Sequence, residues 1–197
     1  MPQSDSLIVS APGAEPERRL VPDKDQPRPA VVALIGLQGA GKGCVARALV
    51  EQLGMRRVCR DAIRDAMFPQ FSYSFAEKRA AFRTLLLTLE INCLLGESSV
   101  IDGMTFARRR DLSRVGEVVS RYGFMPIPVF LDCSTEVADA RVAERLKADP
   151  QRASQAATAA RGRFDTPPPN ALKINANLAL DEVSRIVVAA VAQLRAP

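Results

Sequence analysis

Residues 36–43 read Gly-Leu-Gln-Gly-Ala-Gly-Lys-Gly, directly after the apolar run Val31–Ile35 and directly before a helical pattern. A loop of this composition can turn sharply and bring successive backbone N–H groups onto one anion, because glycine alone reaches the needed dihedrals without a Cβ clash. The helix that begins near Lys42 adds the positive end of its dipole, and Lys42 adds a mobile ammonium. The chemistry is the binding of nucleotide phosphates, with Gly36, Gln38, Gly39, Ala40, Gly41, Lys42, Gly43 and Cys44 as candidates. Position 43 carries glycine where this pattern usually has Ser or Thr, so no side-chain oxygen is offered to Mg²⁺ there. The metal would be held by phosphates, water and a carboxylate further along the chain. The same glycines also fit G-x-G-x-x-A, as Gly41-x-Gly43-x-x-Ala46, with Asp61 about 20 residues on. That dinucleotide fingerprint wants its first glycine at the end of the strand, whereas here five residues separate Gly36 from Gly41.

Carboxylates and arginines downstream extend the chemistry. Asp61 follows a short strand pattern, and carboxyl ends of parallel strands line a binding crevice. It either points into that crevice or caps the next helix, with Arg64 one turn behind. Asp102 ends a buried strand pattern, where a carboxylate is costly unless paired or near a metal. It can hold Mg²⁺-bound water or cap a helix or loop. Arg141 and Arg145 share a helix face, and Arg152, Arg161 and Arg163 surround a Pro- and Ala-rich bend. Such a segment can close over phosphates, or it is a solvated charged face. Phe68, Phe71, Tyr73 and Phe75 cluster after Asp61, where Phe71 and Tyr73 could contact an acceptor or simply pack.

Elements that would position these groups follow from periodicity and stop signals. Strands are expected at 30–35, 56–60, 99–102, 128–132 and 171–174. Helices are expected at 42–53, 61–68, 75–95, 106–122, 135–148 and 180–194. Pro126 and Pro128 are expected to restrict the start of the fourth strand. Strands alternating with helices imply a parallel sheet covered on both faces. Residues 1–29, rich in proline and poor in large apolar side chains, read as a disordered tail, and 30–197 as one domain.

The chain has 197 residues, 47% hydrophobic and 25% charged, which suits one soluble α/β domain. A formal charge of +5 fits an anionic ligand without selecting one. Histidine is absent, which excludes a histidine base and His-ligated metal. Cys44, Cys59, Cys93 and Cys133 have no Cys-x-x-Cys spacing and read as thiols in a reducing compartment. No apolar run spans a membrane and the N-terminus lacks a secretory pattern, so the expected location is the cytoplasm.

The loop resembles that of adenylate kinases, which also carry Gly after the lysine and hold Mg²⁺ through water; Thr comes next in that family, where this chain has Cys44. The loop together with Arg60-Asp61-x-x-Arg64, the segment Val100–Arg109 and Arg141-x-x-x-Arg145 resembles the small P-loop kinases of the AAA-like ATPase group. That group includes the kinase domain of phage polynucleotide kinase and lies near zeta-toxin and gluconate-type kinases. The resemblance covers roughly residues 31–190 and implies a P-loop NTPase three-layer fold. Its sheet would have five parallel strands in order 2-3-1-4-5, with a short arginine-bearing lid. It implies ATP with Mg²⁺, and transfer of the γ-phosphoryl group to a hydroxyl of a small molecule or a polynucleotide end. Asp61 would be the base, Arg64 would position the acceptor, Lys42 and Arg145 would stabilise the γ-phosphate, and Asp102 would lie near the metal. Ala62 stands where many relatives have a second acidic residue. A nucleotide-binding switch without transfer, and an NAD-binding oxidoreductase, are the alternatives.

Overall fold

The computed structural model describes residues 26–70, 72, 74–148 and 164–197. The first 25 residues, Phe71, Tyr73, Arg152, Arg161 and Arg163 lie outside the described residues, so most of the expected tail and of the expected lid does too.

Strand β1 (Ala30–Ile35) is six apolar residues, each buried, so it can only lie at the centre of a sheet covered on both faces. It pairs in parallel with β3 (Ser99–Asp102) on one side and β4 (Met125–Asp132) on the other. Strand β2 (Arg56–Cys59) pairs with β3, and β5 (Leu172–Asn175) with β4, giving the all-parallel order 2-3-1-4-5. This order overturns the dinucleotide reading. In a dinucleotide fold β2 lies beside β1, so that the acidic residue ending β2 reaches the ribose. Here β3 stands between them.

The two faces carry separate cores. Val32 and Leu34 pack with helices α1 (Lys42–Leu53), α5 (Thr135–Ala148) and α6 (Leu180–Arg195). Val31, Ala33 and Ile35 pack with α3 (Phe75–Leu94) and α4 (Arg109–Arg121). The short α2 (Arg60–Met67) contributes Ile63 to the second core. Gly54 ends α1 in a left-handed cap, bonding back to Leu49 and Val50. Ser74 and Glu77 form a reciprocal capping box at the start of α3.

Two boundaries differ from expectation for long-range reasons. Strand β4 begins at Met125, ahead of both prolines. Met125 N donates to Pro29 O, so odd positions of β4 face β1. The missing N–H groups of Pro126 and Pro128 therefore fall on the β5 side, where β5 pairs only from Val129 upward. Helix α4 begins at Arg109 instead of Phe106, because Phe106 adopts a left-handed φ of 50° and Asp165 Oδ2 caps Arg109 N at 2.8 Å. The remaining ends shift by a single residue: β2, α2 and α3 stop at Cys59, Met67 and Leu94, β5 starts at Leu172, and α6 reaches Arg195. Arg28 and Pro29, assigned to the tail, are bound to the fold through Arg195 O, Arg195 Nε and Met125 N.

Helix α3 separates core from surface cleanly. Leu85→Ala, in a fully buried position, is expected to lower stability by about 2–5 kcal/mol. Leu87→Ala, exposed on the same helix, should stay within about 0.5 kcal/mol. Urea midpoints of the two variants check this, and equal shifts would contradict the assigned faces.

Candidate active site

The loop between β1 and α1 is held by its own backbone. Ala40 N donates to Leu37 O at 3.2 Å, and Gly36 N to Thr105 O of the β3–α4 loop at 3.2 Å. Cys44 N and Val45 N both donate to Gly41 O. None of the N–H groups of Gln38, Gly39, Gly41, Lys42 and Gly43 bonds to another described residue. Ala40 differs from expectation: it is fully buried and its N–H is used within the loop, so it shapes the cradle without lining it. Gly39 is demanded by geometry, because at its φ of 93° a Cβ would sit 2.2 Å from Ala138 O on α5.

Lys42 is only 9% exposed, and its Nζ donates to Gly36 O at 2.9 Å and Leu37 O at 2.7 Å. Burial pushes its pKa down from 10.5 to about 8. Asp102 and Asp61 oppose that shift, while Arg145 and Arg60 add to it. Charged groups on α2, β3 and α5 thus act electrostatically on one ammonium.

Asp61 lies in the first turn of α2. Arg60 and Arg64 each donate to its Oδ1 at 3.2 Å, and its Oδ2 takes no hydrogen bond from a described residue. Arg64 is almost fully buried and also bonds Asp65 at 3.1 Å, which fixes its guanidinium between two carboxylates. Cys59, not Asp61, is the N-cap of α2, so the capping alternative for Asp61 does not hold. Gly103 lets the β3–α4 loop approach this junction. A Cβ there would lie 2.8 Å from Asp61 N, at a φ of 75°.

Asp102 is buried at the end of β3, and Arg57 on β2 donates to its Oδ2 through Nε at 3.1 Å and through a second, closer nitrogen. The pairing offsets the burial cost that made this carboxylate conspicuous in the sequence. Arg145 is exposed on α5. Arg141 departs from expectation. Its two terminal nitrogens donate to Ala176 O at 2.8 Å and Leu178 O at 2.7 Å, so two of its donors clamp the β5–α6 loop to α5. Phe71 and Tyr73 are outside the described residues.

A bound Mg²⁺ would have few protein partners. No group of three His, Cys, Asp or Glu able to hold a metal occurs among the described residues. Asp102 Oδ2 lies 3.9 Å from the position of a Cβ on Gly43, so one carboxylate borders the loop where a hydroxyl is missing. This fits a metal held mainly by phosphates and water, with Asp102 reaching it through water. A small apolar pocket between Leu37, Phe130, Phe164 and Pro167 also borders the loop.

Sequence reasoning gave no role to Arg57 or Asp165. Arg57 stands two residues before Cys59, the register partner of Asp102, so the period of two could have placed it on the same face. Asp165 carries no local signal, since it caps a helix that begins 56 residues earlier.

A family model described as AAA domain matches residues 31–167. No curated protein matches the chain. Among solved structures, the APS kinase of Mycobacterium tuberculosis in complex with AMPPNP and APS is 20% identical. Its TM-score is 0.64, over 83% of this chain and 97% of that one. A gluconokinase from Sinorhizobium meliloti 1021 is 18% identical, with TM-score 0.62 over 86% and 95%. A sugar kinase from Janibacter sp. HTCC2649 is 17% identical, with TM-score 0.58 over 83% and 98%. These likenesses show a shared fold.

The folded pKa of Lys42 lies below its unfolded value, so its buried charge is a cost below about pH 8 that is relieved as pH rises from 8 toward 10.5. A phosphate ligand favours the charged form. Nucleotide binding at pH 8 should therefore take up about half a proton, and almost none at pH 6.5. Calorimetry in buffers of different ionisation enthalpy measures this, and Lys42→Met should abolish it. Gly103→Ala is expected to cost about 1 kcal/mol or more and to displace Asp61, read by thermal denaturation and by the structure of the variant.

Proposed function

The chain belongs to the AAA-domain family, and from that membership we propose that it is an ATP-dependent kinase. It would move the γ-phosphoryl group of ATP to a hydroxyl of a small molecule or a polynucleotide end. Residues 30–197 form the ATP-binding unit. The observation that carries the reading is that Asp61, Asp102 and Arg145 all act electrostatically on Lys42, in a loop whose N–H groups at Gln38, Gly39, Gly41, Lys42 and Gly43 bond to no other described residue. A bare phosphate-binding loop needs none of those three.

In this mechanism the loop N–H groups receive the phosphates, and Lys42 turns from Gly36 O and Leu37 O toward the outer phosphate. Arg145, exposed on α5, can swing to the same oxygens and offset charge as it develops. Asp61 Oδ2 accepts the proton of the acceptor hydroxyl, while Arg60 and Arg64 hold Oδ1. Buried Arg64 is the fixed element against which the acceptor is placed. Asp102 orients water beside the phosphates, and Mg²⁺, when bound with the nucleotide, supplies neutralising charge on the phosphate oxygens. Most of the rate enhancement would come from positioning and charge stabilisation. The fold's neighbours carry small-molecule acceptors in their names, APS, gluconate and sugar, which inclines this reading toward a small acceptor. No helix among the described residues is long and apolar enough to cross a membrane.

A second reading, a nucleotide-binding switch without transfer, draws support from the absent hydroxyls at Gly43 and Cys44. Mg²⁺-dependent ATP consumption across a panel of hydroxyl acceptors separates the two. Within the kinase reading, Asp61→Asn should lower kcat by roughly 10²–10⁴ and leave nucleotide affinity unchanged. Retained turnover in that variant would remove Asp61 from the role of base.

A further inference from the structure

Gly43 differs from the other glycines of the loop. Its φ is not left-handed, and a Cβ built on it meets only Asp102 Oδ2 at 3.9 Å, an ordinary contact. The backbone therefore does not impose glycine there, and the volume a hydroxyl side chain would use is open beside that oxygen.

The same Oδ2 is the atom that Arg57 holds. Arg57 and Asp102 leave one face of the sheet, the face covered by α1, because Arg57 pairs with Val100 and Cys59 with Asp102. The two partners are unequally free to move. The Asp102 side chain is 9% exposed and the Arg57 side chain 49%, so the guanidinium has solvent to move into and the carboxylate does not. With no hydroxyl at 43 or 44, a hydrated cation beside the loop depends on the charge of this carboxylate more than it would in a loop with Ser or Thr. A guanidinium already on Oδ2 neutralises that charge.

We propose that Arg57 is a positioning residue that competes with Mg²⁺ for Asp102, and so sets the metal concentration at which nucleotide binds. In the structure Arg57 satisfies Asp102 and keeps a buried carboxylate from facing the loop unpaired. When metal and nucleotide enter together, Arg57 yields and Asp102 turns its charge to the hydrated cation. The pair thus couples metal and nucleotide. Neither separates Arg57 from Asp102 efficiently alone, because each replaces only part of what the guanidinium supplies. The inference rests on the nucleotide reading of the loop.

The test is calorimetric binding of AMPPNP to the full chain at stepped Mg²⁺ concentrations, with no turnover involved. The expected result is that Arg57→Met lowers the Mg²⁺ midpoint by roughly three- to fivefold, the size appropriate to a half-exposed ion pair. Arg57→Lys, which keeps a charge in reach, should stay close to the unmodified protein. In an Asp102→Asn background, Arg57→Met should no longer move the midpoint. Should Arg57→Met melt below the assay temperature, Arg57→Gln carries the same expectation. An unchanged midpoint in the charge-removing variants overturns the proposal, as does an equal shift with Asp102 already neutralised. Failure of the unmodified protein to bind AMPPNP at any Mg²⁺ concentration would overturn the nucleotide reading and this proposal with it. Binding with a midpoint indifferent to Arg57 overturns this proposal alone.

Discussion

An ammonium buried as deeply as that of Lys42 would lose its charge unless hydrogen bonds and opposite charges held it, and much of this molecule is arranged to hold it. Two loop carbonyls accept hydrogen bonds from it directly. Two carboxylates stand near enough to favour the charge, each restrained by its own arginine partners: Asp61 by Arg60 and Arg64, Asp102 by Arg57. The result is a balance in which desolvation still wins, leaving the lysine able to lose its proton near pH 8. A phosphate would tip that balance by replacing carbonyl dipoles with full negative charge. The resting loop is therefore a stable structure and also one that gains from an anion.

Much of this was legible in the sequence because it is local. Glycine and lysine spacing identified the loop, the unbroken apolar run identified β1, and Gly54 identified the end of α1. Asp102 stood out because a charge ending an apolar strand needs a reason. What stayed hidden depends on residues distant in sequence. The partner that answers for Asp102 is Arg57 on another strand, a residue to which the sequence assigns no role. Arg141 shares a helix face with Arg145 in the sequence, yet two of its donors are taken by carbonyls of the β5–α6 loop, which no periodicity reports. The start of α4 was misplaced because helical pattern continues back to Phe106, whereas the cap comes from Asp165.

The glycines show the same division between what type reveals and what only packing reveals. Gly39 and Gly43 look equivalent in a motif. In three dimensions Gly39 is pressed against the first turns of α5 and tolerates no side chain, while Gly43 has room for one. Gly103, outside the motif, is constrained too, because it carries the loop after β3 against the amide of Asp61. Side-chain identity at 43 is thus a matter of chemistry, whereas at 39 and 103 it is a matter of space.

The prolines of β4 have a consequence beyond the boundary they help to define. Below Val129 this strand pairs with no described strand on the β5 side, and an unpaired flank would ordinarily offer a ladder of donors to an extended chain. With Pro126 and Pro128 at the two positions that face that flank, the ladder has no rungs. The sheet can thus end unevenly, with β5 shorter than β4, and still resist growth by intermolecular strand addition. Replacing either proline would restore a backbone donor to the lower part of β4, at the end of the sheet away from the loop.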